Sequence, residues 1–348
     1  MLLSTTVYPV VLPTDAIRKR IWLANGVAIG AVCWSVGAAV LIRFLGDRWW
    51  IGTLLLFSPR WLLSLPILTG VVLWPWLAKS VKRAVLLAGL VACWGVLEFC
   101  LPLSSWFASP TVTYRVLTCN VAHWAGGTER LERLIIDSGA DIVMLQEYDD
   151  QSHFSVPDSW SSHYDGELLI ASRYPLGNFS IVPRKLPGRW PRAVGLFAEA
   201  VTPERTIQLY TLHLLSPRSG LSEIVDSKTG IAPSRRERLV EETSKRESES
   251  KRVALAIDGR TGSFVVGGDF NMPVASYFFR QHWSRFRDAF AAAGFGIGNT
   301  CFVEKRGLRF GARVDHVLTR GSWHALRCWV GPDVGSDHRP LLADVYWE

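Results

Sequence analysis

Asp269 and Asn271 are a carboxylate and an amide two residues apart, at the end of the β-forming run Phe264-Val265-Val266-Gly267-Gly268. Along an extended chain they project to one side, with Phe270 turned the other way. The two glycines before them allow a neighbouring strand to come close. A polar residue directly after, or ending, an apolar run recurs at Asn120, Glu147, His213, Asp315, and Asp337 with His338. One such corner is ordinary packing. Six of them, holding Asn, Asp, Glu and His, mark strand ends that build a site. Glu147, Asn120 and Asp337 offer hard oxygen ligands, and few carboxylates with many waters suit Mg²⁺, with Mn²⁺ as a substitute. The remaining acids and imidazoles handle protons and phosphoryl charge. The set suits phosphoester hydrolysis by metal-assisted attack of water.

These corners need strands to carry them, and the pattern from residue 113 onward supplies an alternation of strands and helices. Strands are expected over 113–118, 141–145 and 168–171, then a hairpin pair over 193–201 and 206–212 turning at Pro203-Glu204-Arg205. Three late strands fall near 312–319, 324–330 and 341–346. Residues 128–138 have helical periodicity, with Leu131, Leu134 and Ile135 on one face and Gly139 closing the helix. Residues 234–259 read as a second helix whose Glu/Lys/Arg run is a solvated face. A third helix is expected around 275–290. No internal repeat is visible.

The first third has a different composition. Nine of the 16 tryptophans precede Pro110. Residues 21–45 form an apolar run long enough to span a membrane, and 61–78 and 84–107 are two more. Residues 49–59 are too short to cross and read as an interfacial piece with Trp49 and Trp50 at headgroup level. Glu98, near the outer end of the third run, reads as wetted. The basic clusters Arg18-Lys19-Arg20 and Lys79, Lys82, Arg83 then fall on one side, which the positive-inside rule makes cytoplasmic. The expected organisation is a cytoplasmic segment (1–20), a three-helix transmembrane region (21–108), and a catalytic domain (109–348) outside a multi-pass cell-membrane anchor. A cleaved signal peptide is not expected.

Charge follows the same division. Nine basic and three acidic residues precede Ser109, so +6 of the net +7 lies there and only +1 in the remainder. The basic balance therefore belongs to membrane flanks and argues against duplex binding by bulk charge. No CxxC or Cys/His cluster suggests zinc. Cys301 and Cys328 would pair only if their strands are neighbours in an oxidising compartment.

Taken together the corners resemble the endonuclease/exonuclease/phosphatase superfamily, the deoxyribonuclease-I-like hydrolases. The matching stretches are Val116-Leu117-Thr118-Cys119-Asn120, Leu145-Gln146-Glu147, Thr211-Leu212-His213-Leu214, Gly268-Asp269-Phe270-Asn271, Val314-Asp315-His316-Val317 and Ser336-Asp337-His338-Arg339-Pro340. They occur in the family's order from about residue 114 to the C-terminus. The resemblance implies an α+β fold, a four-layer α/β/β/α sandwich, here preceded by an all-α transmembrane region. It also implies roles. Glu147, Asn120 and Asp337 are metal ligands. Asp269 orients or deprotonates the attacking water, and Asn271 positions water and phosphate. His338 binds phosphate oxygens, with Asp315 holding its ring, and His213 donates to a second oxygen. Two residues outside the motifs are added as substrate-binding candidates: Arg192, in Gly188-Arg189-Trp190-Pro191-Arg192, and His123, in the loop after Asn120. His316 and Arg339 are read as packing or surface.

The leading expectation is a membrane-anchored, divalent-metal-dependent phosphoesterase acting on a phosphate ester or pyrophosphate of a lipid or cell-surface molecule. A tethered domain meets lipid headgroups at high effective concentration. The alternative is an extracytoplasmic nuclease acting on DNA or RNA, and the third reading a non-catalytic membrane scaffold. The expected partners are the bilayer and a phosphoester substrate; no protein partner is implied.

Overall fold

The computed structural model describes residues 15–103, 106, 108–149, 154–184, 192–225, 232–305 and 307–348. The chain divides into two compact units: Met1–Val40 with Arg60–Leu97, and Leu41–Pro59 with Glu98–Glu348. Most of the expected segment 1–20 lies outside the described residues.

Helix α1 (Asp15–Val40) runs on through a π-helical turn, Leu41–Leu45. Then come α2 (Trp50–Leu56), α3 (Arg60–Ser64), α4 (Pro66–Val72), a 3₁₀ turn at Trp74–Trp76, and α5 (Lys79–Val91) with a π turn at Ala92–Val96. In the first unit the buried positions are mostly alanines, including Ala24, Ala28, Ala31, Ala38, Ala88 and Ala92, with Leu77, Val85 and Val96 among them. Ala24 and Ala28 of α1 meet Leu77 and Val85, and Gly70 lies so close to Val85 that a Cβ there would meet its methyl groups. Asn25 donates to the Trp76 carbonyl (3.3 Å) and accepts from the Ala78 amide (2.9 Å). The large apolar side chains point outward, including Trp22, Leu23, Val71, Val72, Leu86 and Leu87. Mostly small inside and large apolar outside is the reverse of a water-soluble bundle.

One continuous helix, Ile17–Leu45, is long and apolar enough to cross a bilayer, with mean hydropathy 2.0. The other two expected spans are not continuous helices of that kind. The 61–78 run breaks into α3, α4 and the 3₁₀ turn, where Pro66 and Pro75 remove backbone donors. The third helix starts earlier, at Lys79, and its last turn ends at Val96. Glu98, expected to be wetted, is buried, and its carboxylate accepts the Ala275 amide.

The second unit opens with the segment 41–59, in which Gly52, Thr53 and Leu56 of α2 are buried. Its remaining elements are β1 (Tyr114–Asn120), α6 (Glu129–Ser138), β2 (Ile142–Gln146), β3 (Ser161–Asp165), β4 (Leu168–Ser172), β5 (Leu176–Pro183), β6 (Ala193–Val201), β7 (Thr206–His213), α7 (Arg218–Val225) and α8 (Pro233–Asp258). After them follow β8 (Phe264–Asp269), α9 (Tyr277–His282), β9 (Arg287–Asp288), α10 (Ala289–Ala293), the hairpin β10 (Cys301–Lys305) and β11 (Leu308–Ala312), β12 (Asp315–Thr319), β13 (Trp323–Val330) and β14 (Leu341–Trp347).

Two six-stranded sheets form, ordered β13-β14-β1-β2-β4-β3 and β5-β6-β7-β8-β12-β9. Their inner faces share one apolar core, with Val116, Ile142, Met144 and Ile170 on one side and Leu196, Leu209, Val265 and Val317 on the other. Leu131 and Ile135 of α6 cover the outer face of the first sheet. Val253 and Ile257 of α8, with Phe279 of α9, cover the second. This is a four-layer α/β/β/α sandwich. Continuous burial along β2, β4 and β8 follows from having both sheet faces covered.

Three expectations change. The 275–290 helix is two short helices, α9 and α10, separated by β9. Cys301 and Cys328 are both free thiols. The charge-laced face of α8 is not all solvated, because Arg246, Glu249 and Ser250 are buried.

Candidate active site

Registers bring the corners to one edge. Asn120 at the end of β1 is paired with Gln146 at the end of β2, so Glu147 follows beside it. His213 closes β7 opposite Asp269, the last residue of β8. Antiparallel β12 starts there, with Asp315 opposite Asp269. Asp337 and His338 lie just before β14, whose Leu341 pairs with Thr118 of β1. The Gly267-Gly268 pair has a steric reason. A Cβ at Gly267 would run into the Met144 sulfur of the facing sheet, and one at Gly268 into the Leu212 carbonyl of β7. Glu147 and Asn271 both hold positive φ, 52° each, a region Asn tolerates and Glu rarely adopts. Beneath them Gln146 is fully buried and donates to Thr118 Oγ1 (3.1 Å) and Thr211 Oγ1 (2.9 Å), which ties the two sheets together under the site.

Asp269 Oδ2 is the node. It accepts from Asn120 Nδ2 at 3.1 Å and Asn271 Nδ2 at 3.1 Å, and lies 3.8 Å from both His213 Nε2 and His338 Nε2. Asp269 Oδ1 accepts the Asn271 amide at 2.8 Å. His338 Nδ1 lies 2.8 Å from Asp315 Oδ2, so the pair fixes the ring and directs Nε2 toward Asp269. Ser336 braces the turn, donating to the Asn120 carbonyl (2.8 Å) and accepting the His338 amide (3.0 Å). Burial opposes charge on His338, but the carboxylates of Asp315 and Asp269 outweigh it and hold the imidazolium well above its ordinary range. Burial and the neighbouring Asp315 raise Asp269, with His338 and His213 pulling back. A raised carboxylate is the better proton acceptor.

The expected metal ligands are more dispersed. Glu147 Oε1 accepts from Asn120 Nδ2 (3.0 Å) and lies 3.7 Å from His213 Nε2. Asn120 Oδ1 turns back to the Ala122 amide at 2.9 Å, so Asn120 enters the pocket as a donor. Asp337 pairs with Arg218 of α7. Among the described residues, potential donors cluster as Asp269, Asp315 and His338, and as Cys301, Asp337 and His338. Asp315 Oδ1 is buried without a hydrogen-bond partner. The carboxylate oxygens of Glu147, Asp269 and Asp337 are hard donors that suit a divalent cation such as Mg²⁺, and the one thiol in these clusters does not make a zinc site.

The two added candidates are at the rim. His123 Nε2 lies 3.6 Å from Glu147 Oε2. Arg192 pairs with Glu167, whose Oε2 is 4.0 Å from His213 Nδ1; Gly188 to Pro191 lie outside the described residues. His316 is a packing residue, fully buried between Asp288 (2.7 Å) and the Met272 carbonyl (2.9 Å). Arg339 stacks on Phe302. Glu167, Arg218 and Ser336 are missing from the sequence reading. Ser336 opens a matched stretch but was given no role there, and Glu167 and Arg218 sit on a turn and a short helix that no pattern marks.

A family model for the Endonuclease/Exonuclease/phosphatase family matches residues 117–338. No curated protein matches the chain. Among solved structures, a 3'-5' exonuclease from Neisseria meningitidis is 17% identical, covering 67% of this chain and 100% of its own with a TM-score of 0.49. An AP endonuclease from Archaeoglobus fulgidus is 14% identical, covering 68% and 99% with a TM-score of 0.47. A family protein from Leptotrichia buccalis C-1013-b is 14% identical, covering 67% and 100% with a TM-score of 0.48. With the family model spanning all six corners, this chain belongs to the endonuclease/exonuclease/phosphatase family of metal-dependent phosphoester hydrolases.

Proposed function

We propose that the chain is a membrane-anchored, Mg²⁺-dependent phosphoesterase whose substrate is a lipid-linked or cell-surface phosphate ester or pyrophosphate. The convergence of Asn120, Asn271, His213 and His338 on Asp269 Oδ2 carries the catalytic part of the reading. Asp269 orients the attacking water and takes its proton, and Asn271, with its amide fixed on the Leu214 carbonyl at 2.8 Å, positions water and phosphate. His338 Nε2 donates to a phosphoryl oxygen as its imidazolium, held by Asp315, and His213 Nε2 donates to a second oxygen. Glu147, with Asp337, would hold Mg²⁺ or Mn²⁺, which supplies neutralisation of the phosphoryl and leaving oxygens when bound, while Asn120 donates its Nδ2 to Asp269 and Glu147. Arg192 is a rim contact that clamps phosphate, and His123 one that meets the substrate's leaving group.

The outward apolar side chains of α1, α4 and α5 support the anchor. Basic clusters on one side of it support an N-terminus inside and a catalytic domain outside, with the transmembrane region within 21–108 and the catalytic domain over 109–348. The small positive charge of the catalytic part favours a lipid phosphate over a duplex. The test is turnover by the purified full-length protein, in detergent with Mg²⁺, of lipid pyrophosphate, phospholipid, bis(4-nitrophenyl) phosphate and plasmid DNA. Turnover of a lipid phosphate above DNA is expected; preference for DNA over every lipid would make it a tethered nuclease.

A further inference from the structure

Arg246 lies mid-way along α8 with its side chain only 3% exposed. A buried guanidinium needs partners, and three of its nitrogens have them. Nη2 donates to the Asn271 carbonyl at 2.8 Å and Nε to the Leu215 carbonyl at 3.3 Å. Nη1 meets Asp47 Oδ1 at 3.4 Å. Both carbonyls lie within two residues of site side chains, His213 on one strand end and Asp269 on the other. One turn further on, Glu249 accepts the Leu215 amide at 2.8 Å and pairs with Arg184, which donates to the His213 carbonyl.

Asp47 comes from the turn that follows the apolar helix. Its side chain is fully buried, its φ is +64°, and its second oxygen accepts from Ser276, the N-cap of α9. Phe57, twelve residues beyond the helix end at Leu45 and in the same segment, stacks under the Arg246 guanidinium at 5.4 Å from the ring centre. A positive φ in a non-glycine residue persists where the surroundings over-determine it.

We infer that Asp47 and Arg246 are positioning residues for the phosphoester reaction, with the segment Leu41–Pro59 acting as a strut of the catalytic unit. Asp47 neutralises and orients the guanidinium, and the guanidinium fork joins the loops after β7 and β8, so that Asn271 and His213 stay aimed at Asp269. The segment next to the anchor is then part of the catalytic machinery's support, and the functional unit starts at about residue 41, with an excursion through 60–97, where a boundary at 109 would leave Arg246 buried without its counter-charge.

The activity arm rests on the phosphoesterase reading, and the exchange arm does not. Full-length Asp47→Asn, Arg246→Met and the double variant are compared in detergent for Mg²⁺-dependent turnover of bis(4-nitrophenyl) phosphate, thermal unfolding, and amide exchange in residues 213–216 and 269–272. Asp47→Asn is expected to lower kcat by about 10- to 100-fold with KM little changed. The double variant removes the buried charge, so its thermal stability returns while kcat stays low and both segments exchange faster than in the parent. Arg246→Lys keeps the charge without the fork and also stays slow. Recovery of both kcat and parental exchange in the double variant would overturn the inference and leave a structural ion pair only. If the parent itself turns over no phosphoester, the reading of function fails, and unchanged exchange at 213–216 and 269–272 would then overturn the strut separately.

Discussion

Asp269 is placed where its carboxylate can be neither solvated nor left alone. Two amide groups, from Asn120 and Asn271, occupy Oδ2 at 3.1 Å each, and two imidazoles wait at 3.8 Å. Replacing it with Asn keeps the shape and removes the base. We expect His338→Ala to lower kcat by about 10²- to 10⁴-fold, as for loss of a proton-transfer group, with thermal unfolding as the control for folding. The pH profile carries a second prediction. The proposed reaction uses protonated His338, and Asp315 with Asp269 raises its pKa against the opposing effect of burial. Activity assigned to that imidazolium therefore persists as pH rises past the ordinary histidine range and falls only at higher pH. Asp315→Asn should shift this alkaline limb toward lower pH, and an unmoved limb would separate the titration from His338.

At the scale of elements, the ends of β1, β2, β7, β8 and β12 bring the candidate site residues together, and helices and turns hold those ends still. One such brace is Asp288, between Arg313 (3.3 Å) and His316 (2.7 Å). Burial opposes its ionisation, but Arg313 and His316 outweigh burial and hold its carboxyl well below the usual carboxylate range. A depressed carboxylate stabilises the fold above its unfolded pKa of about 3.9, and that stability is lost as pH falls through the folded value. Asp288→Asn should cost about 3–5 kcal/mol at neutral pH, the usual cost of uncovering a buried charge, and flatten the acid limb of stability in denaturant titrations. The six corners were legible because each ends an apolar β run, a local pattern. Gly139 was legible as a helix stop for the same reason, and it sits at φ 64° as the C-cap of α6. The buried face of α8 was not: the partner of Arg246 is 199 residues away, and a charged residue's burial depends on such a partner. The 275–290 stretch also misled, because its apolar residues divide between two cores, Phe279 and Trp283 in the layer outside the second sheet and Phe290 in the core between the sheets, rather than lying along one stripe.

For the whole molecule, apolar residues are sorted by unit. The second unit buries them between layers; the first turns Trp22, Val72 and Leu87 outward around a core made mostly of alanine. A protein of this kind should partition with membranes and require detergent for extraction. A reporter active only outside the cytoplasm, fused at Glu348, should report activity, and a fusion active only in the cytoplasm would reverse the proposed orientation. The family supplies divalent-metal chemistry, so chelation with EDTA should abolish turnover and Mg²⁺ restore it.

The most direct measurement is the ratio of Mg²⁺-dependent phosphoester turnover between the full-length protein and Asp269→Asn, each verified as folded by thermal unfolding. A ratio of about 10²–10⁴ with complete loss in EDTA is predicted. Equal turnover by the two proteins, or turnover indifferent to EDTA, would contradict a single metal-assisted pocket built around Asp269.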